Sequence, residues 1–349
     1  MIIKIERGST VSKWIGTSNS GFSHYAIEEL RRIFPTAKFT MLSPGEVYYF
    51  ETEMPAEDVL SQVVEGETIF LRHIQPIDRE LKLAESLDEN IANIIDTLSY
   101  IEQSFVDKAI SVHVRQSKQT DLAFSKVELR QAVAEWLDSI NSRMVLKQPE
   151  LIIAIYMHKD DIWIGFGTPQ QMRSDWPGGA IRFQREDGQI SRAKFKLLEA
   201  EIVFDFDLAQ FSNAIDVGSA PGGWTSLLLE RGLKVTAIDP AKMDERLLGH
   251  PNLTHIQKNA SDVKLPKKSV DLIVCDMSWS PIQMSKLILD LQYALKPNAY
   301  GIITVKLMHK KGMNSIKEVK QRLASAFHII DARQLFHNRE EITLFIKKI

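Results

Sequence analysis

The stretch from Asn213 to Glu230, N-A-I-D-V-G-S-A-P-G-G-W-T-S-L-L-L-E, constrains the fold of this chain more than any other. An apolar run of strand type reaches Asp216, glycines and a proline crowd the residues that follow, and a helix is predicted from about Trp224. Gly218, Gly222 and Gly223 permit positive φ or close approach of the backbone to a ligand. The helix after them offers N–H groups that have no partner within the helix. A carboxylate, a ribose or a phosphate suits such a turn. The proline between the glycines breaks the dinucleotide pattern G-x-G-x-x-G, and no Gly-Lys-Ser/Thr follows for a triphosphate.

The residues downstream narrow the ligand. A second strand, predicted over 234–238, ends at Asp239, whose carboxylate can accept both hydroxyls of a ribose. Asn259 follows a third strand and Asp276 a fourth, so acidic or amide groups close successive strands on one edge. Strands and helices alternate from there to Ile349. That order predicts an α/β, Rossmann-like domain: a mostly parallel sheet, helices on both faces, and a late antiparallel strand. Lys306 ends the apolar strand Ile302 to Val305, and Glu341 opens the strand Ile342 to Phe345. Lysine is seldom buried without a partner, and Asp276 at the neighbouring strand end is the expected partner of Lys306.

Length and composition bound the rest. A chain of 349 residues, 44% hydrophobic and 25% charged, suits two or three globular domains. The net charge of −2 supplies no field toward nucleic acid or membrane, so any basic surface must be local. Cys275 is the single cysteine, which excludes an internal disulfide, makes a cysteine-based zinc site implausible and fits a reducing cytoplasm. No metal is expected. Met1 to Gly8 has no apolar signal core, and no run approaches the ~18 apolar residues of a membrane span.

In the N-terminal half, residues 11–74 read as βαββαβ, a ferredoxin-like module. Gln75-Pro76 marks a boundary. Beyond it a helix is predicted over 81–101, a strand over 109–115, and a helix over 125–140 with Ser125 as N-cap and Glu128 completing a capping box. Strands over 151–158 and 161–166 meet in a hairpin at Lys159-Asp160. The strand Val112-His113-Val114-Arg115, the helix after it and Trp163 to Gly167 resemble the THUMP module. The resemblance implies contact with RNA, with Arg115, Lys118, Lys126 and Arg130 as phosphate contacts and Arg182 and Arg185 near the linker; ordinary surface charge is the competing reading. The expected division is 1–75 ferredoxin-like, 76–175 THUMP-like and 176–349 catalytic.

Five ordered motifs in the second half, Ser191 to Ala200, Asp216 to Trp224, Cys275 to Met277, Val305 to Leu307 and Arg339 to Thr343, resemble the FtsJ-type RNA 2′-O-ribose methyltransferases. The likeness extends to their large-subunit ribosomal RNA methyltransferase M group, which also carries THUMP-like N-terminal domains. It implies a catalytic set of Lys196, Asp276, Lys306 and Glu341, with Glu340 the alternative for the last. The implied cofactor is S-adenosylmethionine. Gly218 and Pro221, Gly222, Gly223 and Trp224 would surround its methionine end and Asp239 its ribose. Asn259 or Asp262 would meet its adenine, and Asp216, Ser219, Ala220 and Asp276 complete the set. A ribose hydroxyl must lose its proton as the methyl arrives, and Lys306 beside a second cation, Lys196, is the expected base. Lys310 and Lys311 are expected to line the RNA path.

The expected partner is RNA, ribosomal in first place and transfer RNA as the alternative. A guanine-N2 enzyme needs an Asn/Asp-Pro-Pro-aromatic loop, whereas this chain reads Asp276-Met277-Ser278-Trp279-Ser280-Pro281. A non-catalytic RNA-binding protein is the remaining reading, and the four intact catalytic positions argue against it.

Overall fold

The computed structural model describes residues 10–308 and 312–349, so Lys310 and Lys311 lie outside the described residues. The chain divides into two compact units, Met1–Ala180 and Ile181–Ile349.

Among its described residues the first unit holds two sheets. Ser12–Thr17 (β1), Ser23–Ile33 (α1), Lys38–Ser43 (β2), Val47–Thr52 (β3), Ala56–Glu65 (α2) and His73–Pro76 (β4) follow in βαββαβ order, with strands side by side as β2-β3-β1-β4. Strand β1 runs antiparallel to both of its neighbours. The second sheet has the order β5-β9-β8-β6-β7. Its strands are Arg79–Lys82 (β5), Ala109–Gln116 (β6), Arg143–Met144 (β7), Leu151–His158 (β8) and Asp161–Gly167 (β9), with helices Leu87–Ser99 (α3), Lys126–Ser139 (α4) and Pro169–Met172 (α5). Strand β8 is apolar and buried along its length because it is central and covered on both faces. Ile15, Leu42 and Val47 of the first sheet pack with Tyr156 and Trp163 of the second.

The helix predicted over 81–101 starts later than expected. Residues 79–82 pair antiparallel with β9, Arg79 opposite Ile164 and Lys82 opposite Asp161. Ser86 then caps α3 by accepting the N–H of Glu89. Leu81 and Leu83 alternate with charged residues at period two, and the helical spacing of apolar residues begins only at Leu87.

Among its described residues the second unit has one seven-stranded sheet, Asn213–Val217 (β10), Lys234–Ile238 (β11), Leu253–Ile256 (β12), Val270–Cys275 (β13), Leu295–Lys306 (β14), Phe327–Arg333 (β15) and Glu341–Lys348 (β16). The order is β12-β11-β10-β13-β14-β16-β15. The pairs β10 to β11, β11 to β12, β10 to β13 and β13 to β14 are parallel, whereas β16 is antiparallel to both β14 and β15. Helices Lys194–Val203 (α6), Gly223–Glu230 (α7), Pro281–Leu291 (α8) and Gly312–Leu323 (α9) complete it. This is the α/β, Rossmann-like architecture with a late antiparallel hairpin. Strand order reverses direction at β10, which has β11 on one side and β13 on the other, so a crevice opens at the carboxyl ends of those strands. Among the described residues no helix is long and apolar enough to cross a membrane.

Candidate active site

The turn after β10 is shaped by what its glycines must avoid. Gly218 has φ +75°, and a Cβ there would lie 2.3 Å from Met277 Cγ. Gly222 has φ +118°, and its Cβ would meet Leu247 and Met243. A side chain at either position would therefore face backbone strain and a collision at once.

Beside this turn is a cleft of about 350 Å³ whose lining includes Gly218, Ala220, Asp239, Asn259, Asp276 and Met277. Asp239 accepts the N–H of Ala220 at 3.1 Å and of Ala241 at 2.7 Å, one on each oxygen, which leaves lone pairs on both for hydroxyl donors. Ser219 Oγ is buried with no hydrogen-bond partner among the described residues, and Ser219 does not line the cleft. Asn259 lines the cleft; Asp262, its competitor in the sequence, is exposed and does not. A ligand with a ribose and a polar tail fits these groups.

Three of the expected cofactor residues are interior supports instead. Asp216 is 1% exposed and accepts the Thr225 hydroxyl at 2.6 Å. Burial pushes its carboxyl up to about 7 against the pull of that hydrogen bond, with the charges of Asp276 and Asp239 adding to the rise. Trp224 is buried and donates its indole N–H to the carbonyl of Ala193 at 2.8 Å, pinning the start of α6 to α7. Gly223 allows that approach, since a Cβ there would sit 2.9 Å from Ser191 Cβ. Pro221 and Gly222 belong to the turn without lining the cleft.

Packing of α6 on α7 carries Lys196 to the sheet edge. Its ammonium lies 3.0 and 3.1 Å from the two oxygens of Asp276 and 2.7 Å from Glu341 Oε1. All three side chains are less than one-fifth exposed. Burial alone would lower the Lys196 amine, but Asp276 and Glu341 outweigh it and the net shift is upward. Lys306 ends β14 directly opposite Glu341 in the antiparallel ladder. Glu340, the alternative acid, is exposed, and its carbonyl accepts the N–H of Leu307.

One pairing differs from the expectation. Asp276 holds Lys196, not Lys306, because α6 lays its lysine across the end of β13. Thr304, which belongs to none of the expected site residues, donates to Asp276 Oδ1 at 3.0 Å. Its signal was a hydroxyl inside an apolar strand, two residues before Lys306 and hence on the same face. Trp279, 38% exposed, lines the cleft beside Met277.

Among the expected RNA contacts, Lys118 and Lys126 are exposed and Arg130 is half-buried, as are Arg182 and Arg185 exposed near the linker. Arg115 behaves otherwise. Its guanidinium donates to Thr17 Oγ1 at 3.0 Å and lies over the Tyr156 ring, 5.3 Å from the centroid. One of its nitrogens is buried without a partner among the described residues, and burial lowers its pKa.

Residues 189–336 match the family model described as FtsJ-like methyltransferase. The chain is 31% identical over 202 residues to the ribosomal RNA large subunit methyltransferase M of Laribacter hongkongensis, covering 54% of this chain and 56% of that protein. With the protein of the same name from Tolumonas auensis the identity is 27% over 308 residues, covering 84% and 83%. The chain spans little more than half the length of the first of these curated relatives, and over four-fifths of the Tolumonas one. It is also similar to the crystal structure of TrmN from Thermus thermophilus, at 14% identity and a TM-score of 0.37, covering 97% and 100% of the two chains.

Proposed function

We propose that this protein, whose residues 189–336 match the FtsJ-like methyltransferase family model, methylates a ribose 2′-hydroxyl of RNA, using S-adenosylmethionine. The favoured substrate is large-subunit ribosomal RNA, in keeping with the names of the relatives. The observation that carries the reading is the Lys196 ammonium clamped between Asp276 and Glu341 at the mouth of the cleft, with Lys306 opposite Glu341.

The cofactor supplies an electrophilic methyl group when bound. Asp239 would hold its ribose hydroxyls, the turn at Gly218 its methionine end, and Asn259 its adenine. Trp224 and Asp216 keep that turn in shape from inside. Lys196, fixed in its charged form by two carboxylates, would donate to the acceptor ribose and orient it. That leaves Lys306 as the amine to take the hydroxyl proton, since among the described residues it makes no ion pair. Alignment of the hydroxyl with the methyl group would supply much of the remaining acceleration.

Lys118, Lys126 and Arg130 would contact phosphates, with residues 1–75 as a ferredoxin-like and 76–175 as a THUMP-like module ahead of the catalytic part at 176–349. Sheet closure supports that division: the first sheet ends at Pro76, and the second runs from Arg79 to Gly167. One buried cysteine and no membrane-spanning helix among the described residues accord with a cytoplasmic setting.

The test is to incubate the purified protein with labelled S-adenosylmethionine and either ribosomal or transfer RNA, and to map ribose methylation. Label on a large-subunit ribose supports the reading. Label on transfer RNA alone moves the substrate, label on a base nitrogen overturns the chemistry, and no label with intact protein overturns the activity.

A further inference from the structure

Glu199 lies one helical turn after Lys196 on α6 and is 2% exposed. A carboxylate is costly to bury unless its lone pairs are taken. Here they accept two consecutive backbone N–H groups, Phe336 at 2.6 Å and His337 at 2.9 Å. Both belong to the loop between β15 and β16, which delivers Glu341. The same loop touches α6 a second time, where the His337 ring meets the Phe195 ring with centroids 5.3 Å apart. Phe195 and Glu199 lie one turn apart on the same face of α6, with Lys196 between them in sequence, so the loop is docked beside the residue whose amine Glu341 grips at 2.7 Å. Asn338 carries the link into β16, accepting the Thr343 hydroxyl at 3.1 Å and the N–H of Leu335 at 2.8 Å.

We propose that Glu199 is a positioning residue of the methyl-transfer site: its buried carboxylate fixes the loop that aims Glu341 at Lys196. The proposal rests on the ribose-methylation reading, and Glu199 itself touches neither substrate nor cofactor. Two adjacent N–H donors need two acceptor oxygens, and charge strengthens both bonds. Glutamine keeps the shape but turns an NH₂ group toward one of the donors. Aspartate keeps the charge and both oxygens and shortens the reach.

The experiment is a double-mutant cycle between Glu199→Gln and Glu341→Gln, with the titration of the Lys196 amine followed by NMR on isotope-labelled lysine. That amine faces Asp276 and Glu341. In the wild-type background E199Q lowers kcat on the order of 10-fold, as misplacement of a catalytic group does, with both KM values little changed. With Glu341 already replaced, E199Q costs less than about 2-fold further, because the pair acts as one unit. The Lys196 amine in E199Q titrates at lower pH than in wild type, and E199D recovers part of both effects. Equal fold-losses in the two backgrounds, with an unmoved Lys196 titration, would reduce Glu199 to a loop cap and overturn the proposal. If E199Q does not fold, E199D is carried through the cycle and the titration instead, with smaller effects of the same sign expected. Wild-type protein that methylates no RNA sinks the functional reading, and the Lys196 titration still decides the positioning role.

Discussion

Glu29 in the first unit and Glu199 in the second use one device in two settings. Glu29, on α1 and 4% exposed, accepts the N–H groups of Ile69 at 3.0 Å and Phe70 at 2.9 Å. Glu199 does the same for Phe336 and His337. Each carboxylate ties down the loop that leads to a later strand, β4 in one case and β16 in the other. The difference is one turn upstream: Ala26 precedes Glu29 and is buried, whereas Lys196 precedes Glu199 and reaches the strand ends. A helix that clamps a loop is scaffold when its neighbouring positions are apolar, and becomes part of a site when one of them carries an amine to the sheet edge.

The contrast breaks if chemistry does not reside in the second unit. Lys306→Ala tests this most severely. Its kcat should fall by ~10² to 10⁴, the usual contribution of a general base, with cofactor affinity by calorimetry changed by less than about threefold. Full turnover in that variant would remove the assignment. Gly218→Ala comes next, since the added Cβ collides with Met277 at a φ of +75°. Its cofactor dissociation constant should rise about 10-fold, a cost of about 1.4 kcal/mol.

Glu29→Gln sharpens the other side. Losing one acceptor against buried N–H donors should lower the unfolding free energy by about 1–3 kcal/mol while kcat of the folded protein stays put. Burial raises the Glu29 carboxyl to about 7, against the lowering effect of its two N–H bonds. The folded protein therefore binds more protons than the unfolded chain between the ordinary 4.5 and 7. Stability should fall as pH rises through that window, and E29Q should flatten the slope in urea titrations at pH 5 and 7. The smallest effect separates cations of the first unit. Lys118→Glu with Lys126→Glu should weaken RNA binding and shallow its salt dependence by up to about two contacts. Replacing the enclosed Arg115 by glutamine should leave that slope alone.

The residues of β10, its glycine turn and α7 could be read directly, because strand period, glycine spacing and the proline all point one way. The four ionisable positions came from ordered motifs. Which carboxylate holds which amine did not follow, since it depends on how α6 packs against α7 through Trp224 and Gly223. Arg115 misled for a related reason. Alternation along a strand assigns faces, but β6 lies inside its sheet, so neither face need be open to solvent. Glu199 carried no signal of its own, because a carboxylate in a helix reads as surface until the loop that covers it is placed.

Strand β16 does not add at the rim of its sheet; it inserts between β14 and β15. The acid at its first position is set by the register of a strand held on both sides, so register and charge balance at this edge are decided together. A one-residue slip that set Ile342 opposite Lys306 would swing Glu341 to the other face and leave Asp276 as the single counter-charge to two lysines, whereas the opposite slip would bring Glu340 into its place. A chain threaded in the first way would carry an unbalanced charge at the edge where the proposed reaction takes place.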